Sequence, residues 1–210
     1  MSEMIVQKPK PNPSFSGISD GFFELGHTPV GVDEVGRGSL AAPVVAAAVV
    51  LPRGVIIDGV RDSKKLSPKR RETLSAIIKE KALSFAFGYA EAREVDEINV
   101  LQATMRAMAN AVEGIRLESS NLIALIDGNS PPDLDCPLEC IVGGDSVCHL
   151  IAAASILAKV ERDAHMVRMS EEYPEYGFSA HKGYGTAAHR AAIKKHGLCP
   201  IHRKSFCHER

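Results

Sequence analysis

The sequence predicts an α/β domain built on a mixed five-stranded sheet flanked by helices, and three observations lead there. Short apolar runs rich in Val, Ile and Ala alternate with stretches of helical spacing. The first two runs are joined by a glycine-rich turn alone, while the third and fourth are each preceded by a helix, which asks for a mixed sheet. The 210 residues are 45% apolar and 24% charged, as in an ordinary globular enzyme. A chain of this size hides roughly 70% of its unfolded surface.

Residues 1–27 hold three prolines and no helical or alternating pattern. They are expected to form a flexible or draped extension, with one domain over 28–210. Residues 30–35 read as a short buried strand ended by Gly36-Arg37-Gly38, and 42–51 as a second closed by Pro52-Arg53-Gly54. Ser67 can cap a helix with Pro68 in its first turn, running to about Ala82. Residues 83–92 alternate, with Phe85, Phe87 and Tyr89 on one side, as a strand does. Asp96 is the expected cap of the next helix, where Ile98, Leu101, Met105, Met108, Val112 and Ile115 return at three- and four-residue steps. A buried strand over 122–126 ends at Asp127-Gly128-Asn129, and a short one over 140–142 ends at Gly143-Gly144-Asp145. Residues 149–169 form a long helix whose first half is apolar almost all round, hence buried. Thr186 caps a last helix ending at His196-Gly197.

The longest apolar run, 40–51, is interrupted by Pro43 and too short to cross a bilayer, and no basic-then-apolar leader opens the chain. A soluble cytoplasmic monomer with no membrane contact is expected. Five cysteines cannot all pair with one another, so they read as mostly reduced thiols. Net charge is −1, but residues 176–210 carry +6 and five of the eight histidines, leaving −7 elsewhere. Such polarity suits an acidic centre for metal beside a basic surface for phosphate; the plain alternative is a solvated basic tail.

Three strand ends carry carboxylates: Asp33-Glu34, Asp127 and Asp145. Carboxylates following apolar runs are costly to bury unless they bind a cation, and hard oxygen ligands without matched Cys or His suit Mg²⁺ or Mn²⁺. Two such ions can activate water and stabilise a leaving oxygen in phosphodiester cleavage. Each carboxylate taken singly is adequately explained as part of a turn; taken together, with Asp33-Glu34 in a buried strand, they favour a site. Neighbouring strand residues face opposite ways, so either the strand distorts before Gly36 or one of Asp33 and Glu34 uses its backbone carbonyl. Asp33 is the expected shared ligand. Gly36-Arg37-Gly38 lets backbone amides approach a ligand closely, although a tight turn would explain it equally. Residues 177–186 mix cations, an aromatic, glycines and a helix start, which offers phosphate contacts and a stacking face; Tyr184 could also be a core aromatic. Zinc on Cys136, Cys140, Cys148, His149, Cys199, His202, Cys207 and His208 competes weakly, because no paired C-x₂-C spacing occurs.

These residues together resemble the bacterial ribonuclease HII family, over roughly residues 30–206. The resemblance rests on separated motifs in order: Gly31-Val32-Asp33-Glu34-Val35-Gly36-Arg37-Gly38, Asp62-Ser63-Lys64-Lys65-Leu66-Ser67, Ile126-Asp127-Gly128-Asn129 and Gly144-Asp145. Residues 153–160 (AASILAKV), His181-Lys182-Gly183-Tyr184-Gly185-Thr186 and His202-Arg203-Lys204-Ser205-Phe206 complete it. It implies a ribonuclease H-like fold with a helical C-terminal extension. It also implies divalent-metal-dependent cleavage, with two Mg²⁺ or Mn²⁺ ions, of RNA in RNA–DNA hybrids and 5′ of single ribonucleotides in duplex DNA. The ends left would be 3′-hydroxyl and 5′-phosphate, in ribonucleotide removal during DNA replication and repair. By motif position, Asp33, Glu34, Asp127 and Asp145 would be catalytic metal ligands. Gly36, Arg37 and Gly38 would recognise the ribose 2′-hydroxyl and Tyr184 would stack on the neighbouring sugar, with Lys64, His181 and Lys182 near the phosphates. Two departures stand out: Ser39 and Ala42 replace the family's proline and glycine, and Ser146-Val147-Cys148 follows Asp145 where a basic or small polar residue is common.

Overall fold

The computed structural model describes residues 15, 17–117 and 121–207. Five strands make one sheet: β1 (Thr28–Val35), β2 (Val44–Val50), β3 (Ser84–Ala90), β4 (Leu122–Asp127) and β5 (Leu138–Ile141), in the order β3-β2-β1-β4-β5. The β1/β2 pair, joined by a short connection, and the β2/β3 pair, joined through residues 51–83, are antiparallel, and β1/β4 and β4/β5 are parallel. The sheet is therefore mixed, as the order of runs predicts: β1, β2 and β3 alternate in direction while β4 and β5 run parallel to β1.

Both faces are covered, which is why β2 is buried at every residue. One face packs Ala47, Val49, Ile123 and Leu125 against α2 (Pro68–Lys81) and α5 (His149–Glu172). The other packs Val30, Val32, Ala46, Ala48 and Ile126 against α3 (Ala92–Glu113). Residues 149–158 of α5 are all buried, so an apolar, Ala-rich helix half lies directly on β1. Ser67 accepts from the Arg70 N–H and Pro68 opens α2; Thr186 likewise accepts from the His189 N–H to start the terminal helix (Ala187–His196). A third cluster, Ala41, Ala42, Met166, Tyr176 and Phe178, seats the C-terminal segment on the β1–β2 connection.

Two expectations fail. Asp96 does not cap α3, which starts at Ala92 with a capping box between Glu91 and Glu94. Asn99 interrupts it at φ 67°, and its side chain accepts from the Leu101 and Gln102 N–H groups to restart the helix. Asp96 instead holds the Lys204–Ser205 turn, accepting from both backbone N–H groups. Residues 17–24 are also not patternless: they form α1 (Gly17–Glu24), with Phe22 buried in the first core. The expectation of a flexible extension otherwise falls on 1–14 and 16, outside the described residues.

His149, at the start of α5, is 2% exposed. Its Nε2 accepts from the Ile57 N–H at 3.1 Å, so its proton sits on Nδ1, which finds no hydrogen-bond partner. Burial pushes its pKa down to about 4. As pH falls from about 6.5 towards 4, the unfolded chain takes up a proton that the folded ring refuses, costing up to ~1.4 kcal/mol per pH unit. Urea unfolding midpoints should therefore drop between pH 7 and 5. His149→Gln should flatten that drop; an equal slope in both proteins would exclude His149 as its source.

Candidate active site

β1 and β4 run parallel and their pairing ends at Val32–Ile126, so Asp33 and Asp127 occupy the next level on neighbouring strands. Along β4, Ile123 and Leu125 lie in the core cluster against α5 and Asp127 continues their parity; Asp33 shares that face by its register. Glu34 belongs by alternation to the other face, yet a carboxylate oxygen from each of Asp33, Glu34 and Asp127 lies within 4.8 Å of the others. The strand does not distort to achieve this. Glu34 stays paired with Ala46 and Val35 with Val45, so the longer glutamate side chain reaches past the end of the β1–β4 ladder. Neither expected alternative, a broken strand or a backbone ligand, is needed to bring the carboxylates together.

Their electrostatics are adverse without a cation. Burial, then the charges of Glu34 and Asp127, hold the Asp33 carboxyl well above the usual carboxylate range. Burial also raises Glu34, against the opposing pull of Arg37 at 3.4 Å, and raises Asp127. Asp127 Oδ1 accepts from the Gly144 N–H at 2.6 Å, which brings α4 (Gly144–Val147) and Asp145 alongside. Asp145 adds to the negative charge at Asp127 but stands outside the group of three. Lys64 Nζ lies 4.0 Å from Asp145 Oδ2 on a side chain 85% exposed, free to swing towards an anion. Three crowded oxygen donors at the rim of the sheet fit a hard divalent ion. Among the described residues they are the one such group of three or more, so the zinc alternative finds no matching cluster there; His208 lies outside the described residues.

Ser155 was not singled out by spacing, yet it touches this group. Its hydroxyl stands by the Asp33 carboxyl, whose raised pKa it partly offsets, and lies 2.9 Å from Ser63 Oγ. Arg71 then fixes that loop, donating to the Ser63 and Leu66 carbonyls at 3.1 and 2.6 Å. Ser155→Ala should raise the divalent-ion concentration giving half-maximal cleavage about tenfold, as lost outer-shell partners do, with little change in melting temperature. An unchanged metal titration would make Ser155 mere packing.

The Gly36-Arg37-Gly38 turn follows β1 directly, and Arg37 is an exposed side chain. The next residues are gripped from two sides. Ser39 bridges Tyr184 and Ala41 bridges His202, while the Leu40 N–H donates to the Gly183 carbonyl and the Leu40 carbonyl accepts from the Arg203 N–H. Tyr184 thus lies beside the glycine turn, 36% exposed, rather than in the core. Lys182, at φ 53°, donates to the Ser179 carbonyl. His181 uses both ring nitrogens to build the turn, donating from Nε2 to the Tyr176 carbonyl at 2.8 Å and accepting at Nδ1 from the Gly183 N–H at 3.2 Å. It has no nitrogen left for a phosphate in this arrangement. Arg203, counted in the sequence among the basic tail, is fully buried, so that tail is only partly a basic surface.

A family model described as Ribonuclease HII matches residues 30–209. Ribonuclease HII of Delftia acidovorans is 54% identical over 176 residues, covering 84% of this chain and 74% of the relative. Among solved structures, ribonuclease H2 from Pyrococcus horikoshii superposes with TM-score 0.69 at 25% identity, covering 84% of this chain and 92% of that one. Bst-RNase HIII in complex with Mn²⁺ shares the fold, with TM-score 0.70 at 18% identity over 98% of this chain and 75% of that one.

Proposed function

The chain belongs to the ribonuclease HII family of phosphodiester hydrolases, and from that premise we propose that it cuts RNA in RNA–DNA hybrids and 5′ of a single ribonucleotide embedded in duplex DNA. The observation that carries this reading is the meeting of Asp33, Glu34 and Asp127 oxygens within 4.8 Å, directly before a glycine turn. Asp33, Glu34 and Asp127 would hold divalent ions, with Asp145 completing the set once substrate is present. Two Mg²⁺ or Mn²⁺ ions would supply an activated water and neutralise the leaving oxygen. Water adds to phosphorus as the P–O3′ bond breaks, so the upstream strand keeps a 3′-hydroxyl and the ribonucleotide keeps a 5′-phosphate.

The remaining residues orient the substrate. Backbone groups of Gly36 and Gly38, with Arg37, would meet the ribose 2′-hydroxyl, the group that separates RNA from DNA. Against a deoxyribose those polar groups stay unpaired, which is expensive in a water-poor contact. Tyr184 offers an exposed ring face for the neighbouring sugar. Lys64, beside Asp145, and Lys182, two residues before Tyr184, would receive phosphates, and Arg190, Lys194 and Lys195 are exposed cations along the terminal helix. One chain supplies every group named, so a monomer suffices. Such an activity would serve the removal of ribonucleotides in DNA replication and repair.

Product mapping tests this. A labelled DNA duplex with one ribonucleotide, incubated with Mg²⁺ or Mn²⁺, should yield a single cut 5′ of the ribonucleotide and a primer that a polymerase extends directly. Binding of the duplex without products in either metal would identify a hybrid-binding protein instead.

A further inference from the structure

Two arginines are the largest fully buried side chains in the protein, and neither has a carboxylate within ion-pair distance among the described residues. Arg162, on α5, donates from Nε to the Pro43 carbonyl at 3.1 Å and from Nη1 to the Lys182 carbonyl at 2.9 Å. Its Nη2 reaches Ser39 Oγ at 2.8 Å and the Ala41 carbonyl at 3.1 Å. Arg203 donates from Nε and Nη2 to the Ala42 carbonyl at 3.0 and 2.7 Å, and from Nη1 to the Arg37 and Ser39 carbonyls at 2.9 and 3.0 Å. Almost every one of these bonds ends on residues 37–43, the connection that carries the glycine turn. The Arg162 guanidinium also lies 5.5 Å from the centre of the Tyr184 ring.

Burying two like charges side by side is a poor way to gain stability. It is a good way to fix a backbone, because a planar five-donor fork dictates where its acceptors must stand. The connection needs such fixing. Ala42 is held at φ 69°, where a side chain is strained by about 1 kcal/mol, and its carbonyl takes two of the Arg203 bonds.

We propose that Arg162 and Arg203 are positioning residues that hold the 36–42 connection and Tyr184 in one register, and that ribose discrimination depends on them. The inference rests on the ribose-sensing reading of the glycine turn. Neither guanidinium touches the carboxylate group, so both act on selection of the sugar rather than on the bond that breaks.

The test measures dissociation constants of the full chain for a duplex with one ribonucleotide and for its all-DNA counterpart, in Ca²⁺ with product formation checked. The ratio of the two constants is the readout. A partly unfolded preparation lowers the active fraction for both duplexes and leaves the ratio alone. Arg162→Lys and Arg203→Lys keep the charge but lose the fork, and each should reduce the ratio at least tenfold while all-DNA binding stays within twofold. In Arg203→Ala, low millimolar guanidinium should restore the ratio and methylammonium should not. A wild-type ratio in the lysine variants, or failure of every variant to fold even with guanidinium, overturns the proposal, the latter by showing a role in folding alone. Gly38→Ala separates the two readings: if it too keeps the wild-type ratio, the ribose-sensing turn itself is wrong. If it alone collapses the ratio, only the arginine inference fails.

Discussion

Asp33→Asn should abolish cleavage of a duplex carrying one ribonucleotide while leaving the fold intact and, without metal, more stable than wild type. The loss expected is about 10³-fold or more, since gripping the ions serves ~4 kcal/mol or more of charge stabilisation in the reaction. The stability gain follows from the site's own repulsion. Burial and the neighbouring Glu34 and Asp127 raise the Asp33 carboxyl above its unfolded value, so the folded chain holds that proton to higher pH. The contribution of Asp33 to stability is therefore greatest at low pH and is lost as pH rises from about 4 through the raised value. Asn carries no such proton. The melting-temperature advantage of Asp33→Asn over metal-free wild type should widen as pH increases and then level off. Added Mg²⁺ or Mn²⁺ should stabilise wild type and do much less for Asp33→Asn. Asp127→Asn should behave alike, with a smaller stability gain because the Gly144 N–H already compensates its charge. Wild-type cutting by Asp33→Asn would remove the nuclease mechanism outright.

Much of this site could be read from the chain because β1 and β4 are simple. An apolar run buried on both faces that ends in a carboxylate has few explanations, and Asp33 and Asp127 each close such a run; their parallel pairing, which sets the two at one level, is what the structure adds. The same logic misjudged Glu34. Alternation says which way a Cβ leaves the strand, not how far a longer side chain reaches once its neighbouring strand has stopped pairing. Helix starts were legible where a cap is local, as at Ser67 and Thr186. Asp96 had the right chemistry for a cap, but a turn 108 residues later claims its carboxylate. Local spacing carries no trace of that competition. The buried arginines were hidden for a related reason: Arg203 sits among Lys, His and Arg in a segment whose charge reads as surface. Only the eight carbonyl and hydroxyl contacts made by Arg162 and Arg203 distinguish a structural guanidinium from a solvated one.

Gly36 and Gly38 lie two residues apart, yet the same substitution at each should fail in different ways. At Gly36, φ is +94° and an added Cβ would stand 2.2 Å from Arg162 Nε, with the guanidinium already fixed by its carbonyl partners. Gly36→Ala should cost about 3 kcal/mol or more of stability, combining backbone strain with displacement of a buried charge. The loss should appear as a lower urea midpoint before any assay is run. At Gly38 an added Cβ meets no protein atom within 4 Å, and its φ lies outside the left-handed region. Gly38→Ala should leave the urea midpoint within the error of about 0.5 kcal/mol expected at a surface position. Its methyl group nevertheless projects into the space before the turn, where a ribose would have to approach the backbone. Cleavage should therefore fall at least ~30-fold, about 2 kcal/mol of lost contact, mainly through weaker binding of the ribonucleotide duplex. Normal stability with normal cutting in Gly38→Ala would mean that the sugar docks elsewhere, leaving the turn as a strand connection only.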